Sequence, residues 1–456
     1  MTTSNSTAEW RALDDAHFLH PFTDHKQLHE EHSRIIVRGE GVHLWDSEGN
    51  RILDGMAGLW CTAVGYGRSE LADAAAAQMR ELPYYNAFFK TATVPAIELS
   101  ARLAKLVGGS LRHVFYATSG SEAVDTIIRL VRHYWSLAGK PAKRTVISRK
   151  WGYHGSTIAG ASAGGMSDMH RQAGDLPGFA QVQPPYWYMY GGDMSPDEFG
   201  VMAARTLEAK ILELGPENVG AFIGEPIQGA GGVIIPPESY WPEVQRICRR
   251  YDILLVADEV ICGFGRTGEW FGSHAYGIEP DLMSLAKGIT SGYVPLSAVM
   301  IGDRVADLLI DQGGEFFHGF TYSGHPVSCA VALANLDIIE RENLVERART
   351  QGARLLSALR EALGDHPLVG EIRGKGLIGA IELVQDKAKR QFYPSDAGVG
   401  MICRNHCFAS GLIMRAVRDS MVFAPPLVIG DGDIEEFVSL ARKAVDLTWR
   451  DLRATA

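Results

Sequence analysis

Between residues 114 and 257 the chain repeats one pattern: a short, almost wholly apolar run, a stretch with helical spacing, then another apolar run. Residues 114–117, 145–148, 219–223 and 253–257 read as strands. Residues 121–137, 196–214 and 242–251 read as helices; in the first of these Val124, Ile127, Ile128, Val131, Tyr134 and Trp135 recur on one face. Strands this apolar must be covered on both faces, and parallel neighbours need a crossover between them. The expected fold class is therefore α/β: a mostly parallel sheet flanked by helices, spanning a large domain of residues 70–325. A further helix is expected over 69–82, with Ser69 as its N-cap and Pro83 as its stop.

Outside that region the texture changes. Near the start, 35–37 and 43–46 read as strand pieces, the second closed by a turn at 47–50. After Pro326 come long helices (327–340, 343–363), short strands (376–383, 411–415, 421–423) and a last helix over 433–450. Periodicity alone does not say which lobe the first 69 residues join. They are expected to complete a smaller α+β domain with residues 326–456.

Composition narrows the function classes. With 46% apolar and 21% charged residues the chain has the balance of a globular protein, which argues against disorder. A net charge of -10 gives no electrostatic footprint for nucleic acid or an anionic membrane. Six scattered cysteines in 456 residues read as free thiols. The first residues, Met1 to Thr7, lack the basic and apolar regions of a leader, and no apolar run approaches a membrane span. The expected location is the cytoplasm.

Three motifs carry chemistry. Thr118-Ser119-Gly120-Ser121-Glu122 lies between a strand and a long helix, where free backbone N–H groups and serine hydroxyls could cradle a phosphate. The same residues also fit a plain capping box, Ser119 with Glu122. Asp258-Glu259 follows the strand ending at 257, at the edge where open parallel sheets bind ligands. Asp258 could pair with a protonated ring nitrogen, or simply cap a helix. Lys287-Gly288 follows the apolar stretch 282–285 and suits a buried amine of lowered pKa, although a lone lysine there is more often at the surface. Together, in this order, they match a cofactor with a phosphate, a pyridine nitrogen and an aldehyde.

At these residues the sequence resembles the class III, or omega, aminotransferases, fold-type I enzymes that depend on pyridoxal 5'-phosphate (PLP). The resemblance covers essentially the whole chain. Its motifs are Ser119-Gly120-Ser121-Glu122-Ala123, Tyr153-His154-Gly155 and Gly224-Glu225-Pro226-Ile227-Gln228-Gly229, then Ala257-Asp258-Glu259-Val260, Gly263 to Gly268, Ala286-Lys287-Gly288 and Thr321 to Pro326. Bacterial members that move an amino group from a diamine to pyruvate look most similar.

The resemblance implies roles. Lys287 would hold PLP as a Schiff base and shuttle the proton. Asp258 would pair with the pyridinium nitrogen. Ser119, Gly120 and Ser121 would hold the phosphate, with Thr321 reaching the phosphate of the neighbouring subunit. Tyr153 and Val260 would cover the two ring faces, and His154 and Glu225 would belong to the cofactor's surroundings. Phe22, Trp60, Phe88, Tyr153, Ala230 and Arg415 would line the substrate pocket, with Arg415 gripping a keto-acid carboxylate and swinging away otherwise. The implied reaction moves the amino group of a primary amine to pyruvate. Donors would be a diamine such as putrescine or cadaverine, an ω-amino acid or an aryl-alkylamine. The implied unit is a homodimer with shared sites, with a tetramer left open and no nucleic-acid or membrane partner.

Two other reaction classes stay open: a PLP-dependent mutase or decarboxylase of the same fold, and a nicotinamide oxidoreductase using Gly374-x-Gly376-x-x-Gly379. The second lacks the strand–turn–helix context such a fingerprint needs. Cys403-x-x-His406-Cys407 and the run His25, His29, His32 read as packing or solvated faces, and no metal is expected.

Overall fold

The computed structural model describes residues 6–454. Residues 1–5, which carry most of the stretch read as lacking a leader, and 455–456 lie outside the described residues.

After two short helices, Thr7–His17 and His25–Glu31, the chain forms a meander of β1 (Ile36–Glu40), β2 (His43–Asp46) and β3 (Arg51–Asp54). The turn at 47–50 closes on Asp46, whose carboxylate accepts from Glu48 N at 3.0 Å, Asn50 N at 2.9 Å and Asn50 Nδ2 at 3.0 Å. Next come the strands of the central sheet. They are β4 (Leu111–Ala117), β5 (Thr145–Arg149), β6 (Phe179–Val182), β7 (Val219–Gly224), β8 (Leu254–Asp258), β9 (Leu282–Leu285) and β10 (Ser297–Gly302). Their order is β4-β10-β9-β8-β7-β5-β6.

Pairings β8–β9, β7–β8, β5–β7 and β5–β6 are parallel. Only β10 runs against its neighbours β9 and β4. The α/β expectation holds, with that one addition. The run 297–302 was not anticipated as a strand because a simple crossover pattern has no place for a reversed one. In the structure it is buried along its whole length between β4 and β9.

Most predicted helices agree to within a few residues; the helix Pro196–Leu214 starts with proline behind a Ser195–Glu198 capping box. Ser69 is a correction. The helix Ser69–Glu81 has Arg68 in the cap position with no side-chain cap, and Ser69 is already its first residue. The chain bends one residue early because Arg68 is held from outside. Its guanidinium gives two 2.7 Å hydrogen bonds to Glu342 and one of 2.8 Å to Val64 O.

The C-terminal part supplies β11 (Val369–Lys375), β12 (Ile378–Leu383), β13 (Leu412–Ile413), β14 (Arg415–Val417) and β15 (Ser420–Phe423). Four form an antiparallel sheet in the order β11-β12-β15-β14, while β13 pairs in parallel with β3, Leu412 opposite Leu53. The first and last parts of the chain therefore share a sheet. One apolar cluster runs through both lobes, joining Leu99 and Leu103, Met283 and Leu285 of β9, and Val331 and Leu336 of the helix Pro326–Arg341.

Gly374 and Gly379 face each other across the β11–β12 pair, a strand–strand register with no helix N-terminus behind it. Cys403 and Cys407 are buried on the helix Val399–Ala409. His29 and His32 turn to Asp15, at 3.5 and 3.2 Å. Among the described residues no group of three histidine, cysteine or acidic side chains is placed to hold a metal ion, and no helix is long and apolar enough to cross a membrane.

Candidate active site

The parallel strands β5, β7, β8 and β9 end at one edge of the sheet, and the polar residues that follow them meet there. Asp258 is the last residue of β8 and is buried. Its Oδ2 lies 2.7 Å from His154 Nδ1; its Oδ1 accepts from Ser284 Oγ at 2.9 Å and Val260 N at 3.2 Å. Burial pushes this carboxyl up. The bond and charge of His154, with the Ser284 and Val260 donors, outweigh that and hold it below its ordinary value. An ionised carboxylate is thus kept in a dry place. Glu259 points elsewhere, accepting from Gly272 N at 2.9 Å and from Ser273 N and Oγ at 2.5 Å each. Its carboxyl is pushed up to about 7, chiefly by burial.

Lys287 follows β9 in the left-handed region, at φ +49°, where a residue with a Cβ is strained. Its Nζ lies 5.2 Å from the Trp60 ring centre, and no hydrogen bond among the described residues reaches it. Burial lowers its pKa; Cys61, Asp258 and Glu225 oppose that shift, and Arg415 adds to it. Glu225 is buried just past β7, with Oε1 accepting from Tyr153 N at 3.2 Å and Oε2 from Gly229 N at 2.9 Å. Burial raises its carboxyl, against the pull of His154 and Arg149.

The helix Gly120–Leu137 begins beside this group. The capping box is real: Ser119 Oγ accepts from Glu122 N at 3.2 Å, and Glu122 accepts from Ser119 N at 3.2 Å. It does not consume the anion-binding capacity. Among the described residues nothing accepts from the N–H of Gly120 or Ser121. A Cβ on Gly120 would stand 3.2 Å from both methyl groups of Val260, and one on Gly155 2.8 Å from Ser121 Oγ. Glycine at both places lets the backbone come close. Ser121 Oγ accepts from Ser156 N at 3.0 Å, so its own proton is left to give.

Of the residues expected to line a pocket, Arg415 meets Trp60, and Phe22 meets Tyr153. The Arg415 guanidinium carbon lies 5.4 Å from the Trp60 ring centre, and no hydrogen bond or ion pair among the described residues engages that guanidinium. Burial lowers the Arg415 pKa. Trp60 Nε1 is buried without a partner. Phe22 is exposed but packs edge-on against Tyr153, ring centres 6.3 Å apart. Ala230 is buried in the turn after β7.

Phe88 does not join them, and Thr321, expected at the phosphate of the neighbouring subunit, lies apart with it. Phe88 lies against Gly319, and the Thr321 carbonyl accepts from Tyr84 OH at 2.7 Å. Both belong to a separate face, beside a cavity of about 780 Å³ that Phe88, Phe115, His318 and Gly319 help to line and that contains neither Lys287 nor Asp258. Within one chain, therefore, the expected pocket lacks the wall assigned to Phe88.

Sequence reasoning missed Ser284, the one polar side chain inside the apolar strand β9; a lone hydroxyl in such a run is the signal that could have found it. It also missed Arg149, buried at the end of β5 and bonded to the Glu225 carbonyl. The groups present fit PLP: free N–H donors at a helix N-terminus for the phosphate, an ionised buried carboxylate for a ring cation, and an unpartnered amine between them.

The family profile described as "Aminotransferase class-III" matches residues 25–445. The chain is 58% identical to a putrescine–pyruvate aminotransferase of Pseudomonas aeruginosa, covering 98% of each chain. It is 44% identical to a diaminobutyrate–2-oxoglutarate transaminase of Halomonas elongata, covering 91% of this chain and 90% of the other. Among solved structures, an (S)-enantioselective omega-transaminase from Thermomicrobium roseum superposes with a TM-score of 0.95 at 44% identity, covering 98% of this chain and all (100%) of the other. An omega-transaminase of Pseudomonas jessenii in complex with PMP superposes with a TM-score of 0.94 at 44% identity, covering 96% and 98%.

Proposed function

The chain belongs to the class-III aminotransferases, and from that premise we propose that it moves the amino group of a primary amine, a diamine foremost, to pyruvate with PLP held on Lys287. The observation that carries this reading is the Lys287 amine. It is half-buried, strained and without a hydrogen-bond partner among the described residues, and both the ionised Asp258 and the Arg415 guanidinium are near enough to act on its charge.

When bound, PLP supplies a conjugated cationic ring that takes up the electron pair left on the donor carbon as its proton departs. Asp258 holds the ring nitrogen protonated, and His154 and Ser284 keep that carboxylate ionised and aimed. Gly120 and Ser121 N–H groups would hold the phosphate, with the Ser119 and Ser121 hydroxyls as further partners, and Tyr153, Val260 and Glu225 would hold the ring.

Lys287 Nζ takes the proton from the amino-bearing carbon of the donor. Burial lowers its pKa, which shifts the amine towards its neutral, basic form. In the second half-reaction the same nitrogen delivers a proton to the carbon that becomes the α-carbon of alanine. Arg415 receives the pyruvate carboxylate as a bidentate partner. For a diamine, the far ammonium would meet the π face of Trp60, against which the Arg415 guanidinium already lies. This accounts for a diamine pocket without a dedicated carboxylate.

Phe88 and Thr321 serve the site of a second copy, so the working unit is a homodimer with shared sites. The setting is the cytoplasm. A panel of amine donors with pyruvate tests the reading. Stoichiometric alanine, fastest with a diamine, is expected. Release of CO2, or conversion of the amine with no keto acid consumed, sinks it.

A further inference from the structure

The turn that carries Ala230 is held by arginines from the other lobe. Arg373 on β11 is buried. It gives Nε to Val233 O at 2.8 Å and Nη2 to Gly232 O at 2.6 Å. Arg418, at the tip of the β14–β15 hairpin, gives Nη2 to Gly231 O at 2.7 Å while its guanidinium lies 4.0 Å from the Trp151 ring centre. Three successive carbonyls, immediately after Ala230, are thus bound from one side.

The turn needs holding. Val233 is β-branched at φ +50°, a conformation such residues avoid. Inside the turn Gly232 N and Val233 N both give to Gly229 O, at 3.0 and 3.1 Å, and Gln228 and Ile234 exchange bonds of 3.3 and 3.0 Å across its base. The arginines are fixed in turn. Arg373 Nη1 gives to Glu371 at 2.9 Å and Glu382 at 2.8 Å, and Nη2 also gives to Ser420 Oγ at 3.0 Å. Ser420 lies on β15, paired with Val417 of the strand that begins at Arg415. One guanidinium therefore binds both the Ala230 turn and the hairpin that presents Arg415. Arg418 joins the same hairpin to Trp151, two residues before Tyr153.

We infer that Arg373 and Arg418 are positioning residues that set the spacing between Ala230, Tyr153 and Arg415, and so decide which keto acids the carboxylate-binding side accepts. This rests on the aminotransferase reading above. A buried ion pair serving only to hold the lobes together would stabilise the protein without touching acceptor choice.

The test compares Arg418→Met with Arg418→Lys in the holoenzyme, since Arg418 is exposed and its loss leaves no buried charge. Arg418→Met is expected to raise KM for pyruvate by about 5-fold, the scale of one ordinary hydrogen bond, with the larger part of the loss in KM rather than kcat. The preference for pyruvate over 2-oxobutyrate should narrow. Amide hydrogen exchange in 229–234 should rise while that of β7 and β8 stays fixed. Arg418→Lys, which keeps a donor for Gly231 O, should recover part of each change. Arg373→Gln provides a second arm, read by exchange in the same segment. If Arg418→Met leaves both the acceptor ratio and the 229–234 exchange at wild-type values, the inference is overturned. A wild-type enzyme that does not aminate pyruvate at all sinks the functional reading, whereas the exchange result still decides whether the arginines hold the turn.

Discussion

Two clusters of charge sit in the interior and differ in what they leave unpaired. Around Arg373 every charged group is answered. Its three guanidinium nitrogens give to Val233 O, Gly232 O, Ser420 Oγ, Glu371 and Glu382, while Tyr186 OH and Ser420 Oγ both give to Glu382. Around Lys287 little is answered on the cation side. Lys287 Nζ and Arg415 have only the Trp60 ring, and the Gly120 and Ser121 N–H groups have nothing within the chain. The anions there are satisfied: Asp258 and Glu225 accept from named donors. A complete network fixes structure; an incomplete one, strained at Lys287 and short of acceptors, is shaped for molecules that arrive later. Unmet donors, more than burial or charge, separate the two.

The comparison can be broken in four ways. The largest effect belongs to Lys287→Ala, which should cut turnover by about 10³-fold or more and abolish the visible absorbance of the lysine-bound cofactor. Stopped-flow half-reactions with a diamine would check it, and near-wild-type rates would break the contrast at once.

Stability should move oppositely in the two clusters. Arg373→Met leaves Glu382 buried and unpaired and should cost about 3–5 kcal/mol in denaturant unfolding. Lys287→Met, measured on cofactor-free protein, removes a desolvated amine without a partner and should cost nothing. Equal losses would mean that both clusters are structural.

Glu259 sharpens the contrast through pH. Its folded pKa, about 7, lies above the ordinary 4.5, so the folded state favours the protonated form. The stability it contributes is complete below pH 4.5 and is lost as pH rises towards 7, by about 3 kcal/mol in all. Glu259→Gln should therefore be less stable than wild type at pH 4.5, with the deficit shrinking as pH rises to 7. A pH-independent difference in unfolding midpoint would contradict this.

The smallest effect is Arg415→Leu. It should raise KM for pyruvate about 10-fold to 100-fold while changing the amine half-reaction little, because only the keto acid brings a carboxylate for a charged hydrogen bond. Steady-state kinetics with each substrate varied separately would show it. Equal losses on both sides would mean that Arg415 holds the pocket's shape instead.

Much of the site was legible as types of residue in order: Ser119 to Glu122, then Asp258, then Lys287, each just after or before a strand. Periodicity fixed those strands and helices because burying both faces of a parallel sheet demands unbroken apolar runs. It missed β10, whose reversed direction no local pattern encodes, and it placed Ser69 at a cap that the distant Glu342 moves to Arg68. It also grouped Phe88 with Trp60, since resemblance assigns a residue to a pocket without saying which copy supplies it.

The sequence by itself determined the α/β architecture and the order of the chemical groups, because hydrophobic period and turn chemistry act over a few residues. Only the tertiary structure decided which donors remain unpaired. That depends on contacts between positions far apart in the chain, such as Asp258 with His154, Arg373 with Gly232, and Arg415 with Trp60. The same residue types, paired differently, would have made a salt bridge where this chain leaves an open amine.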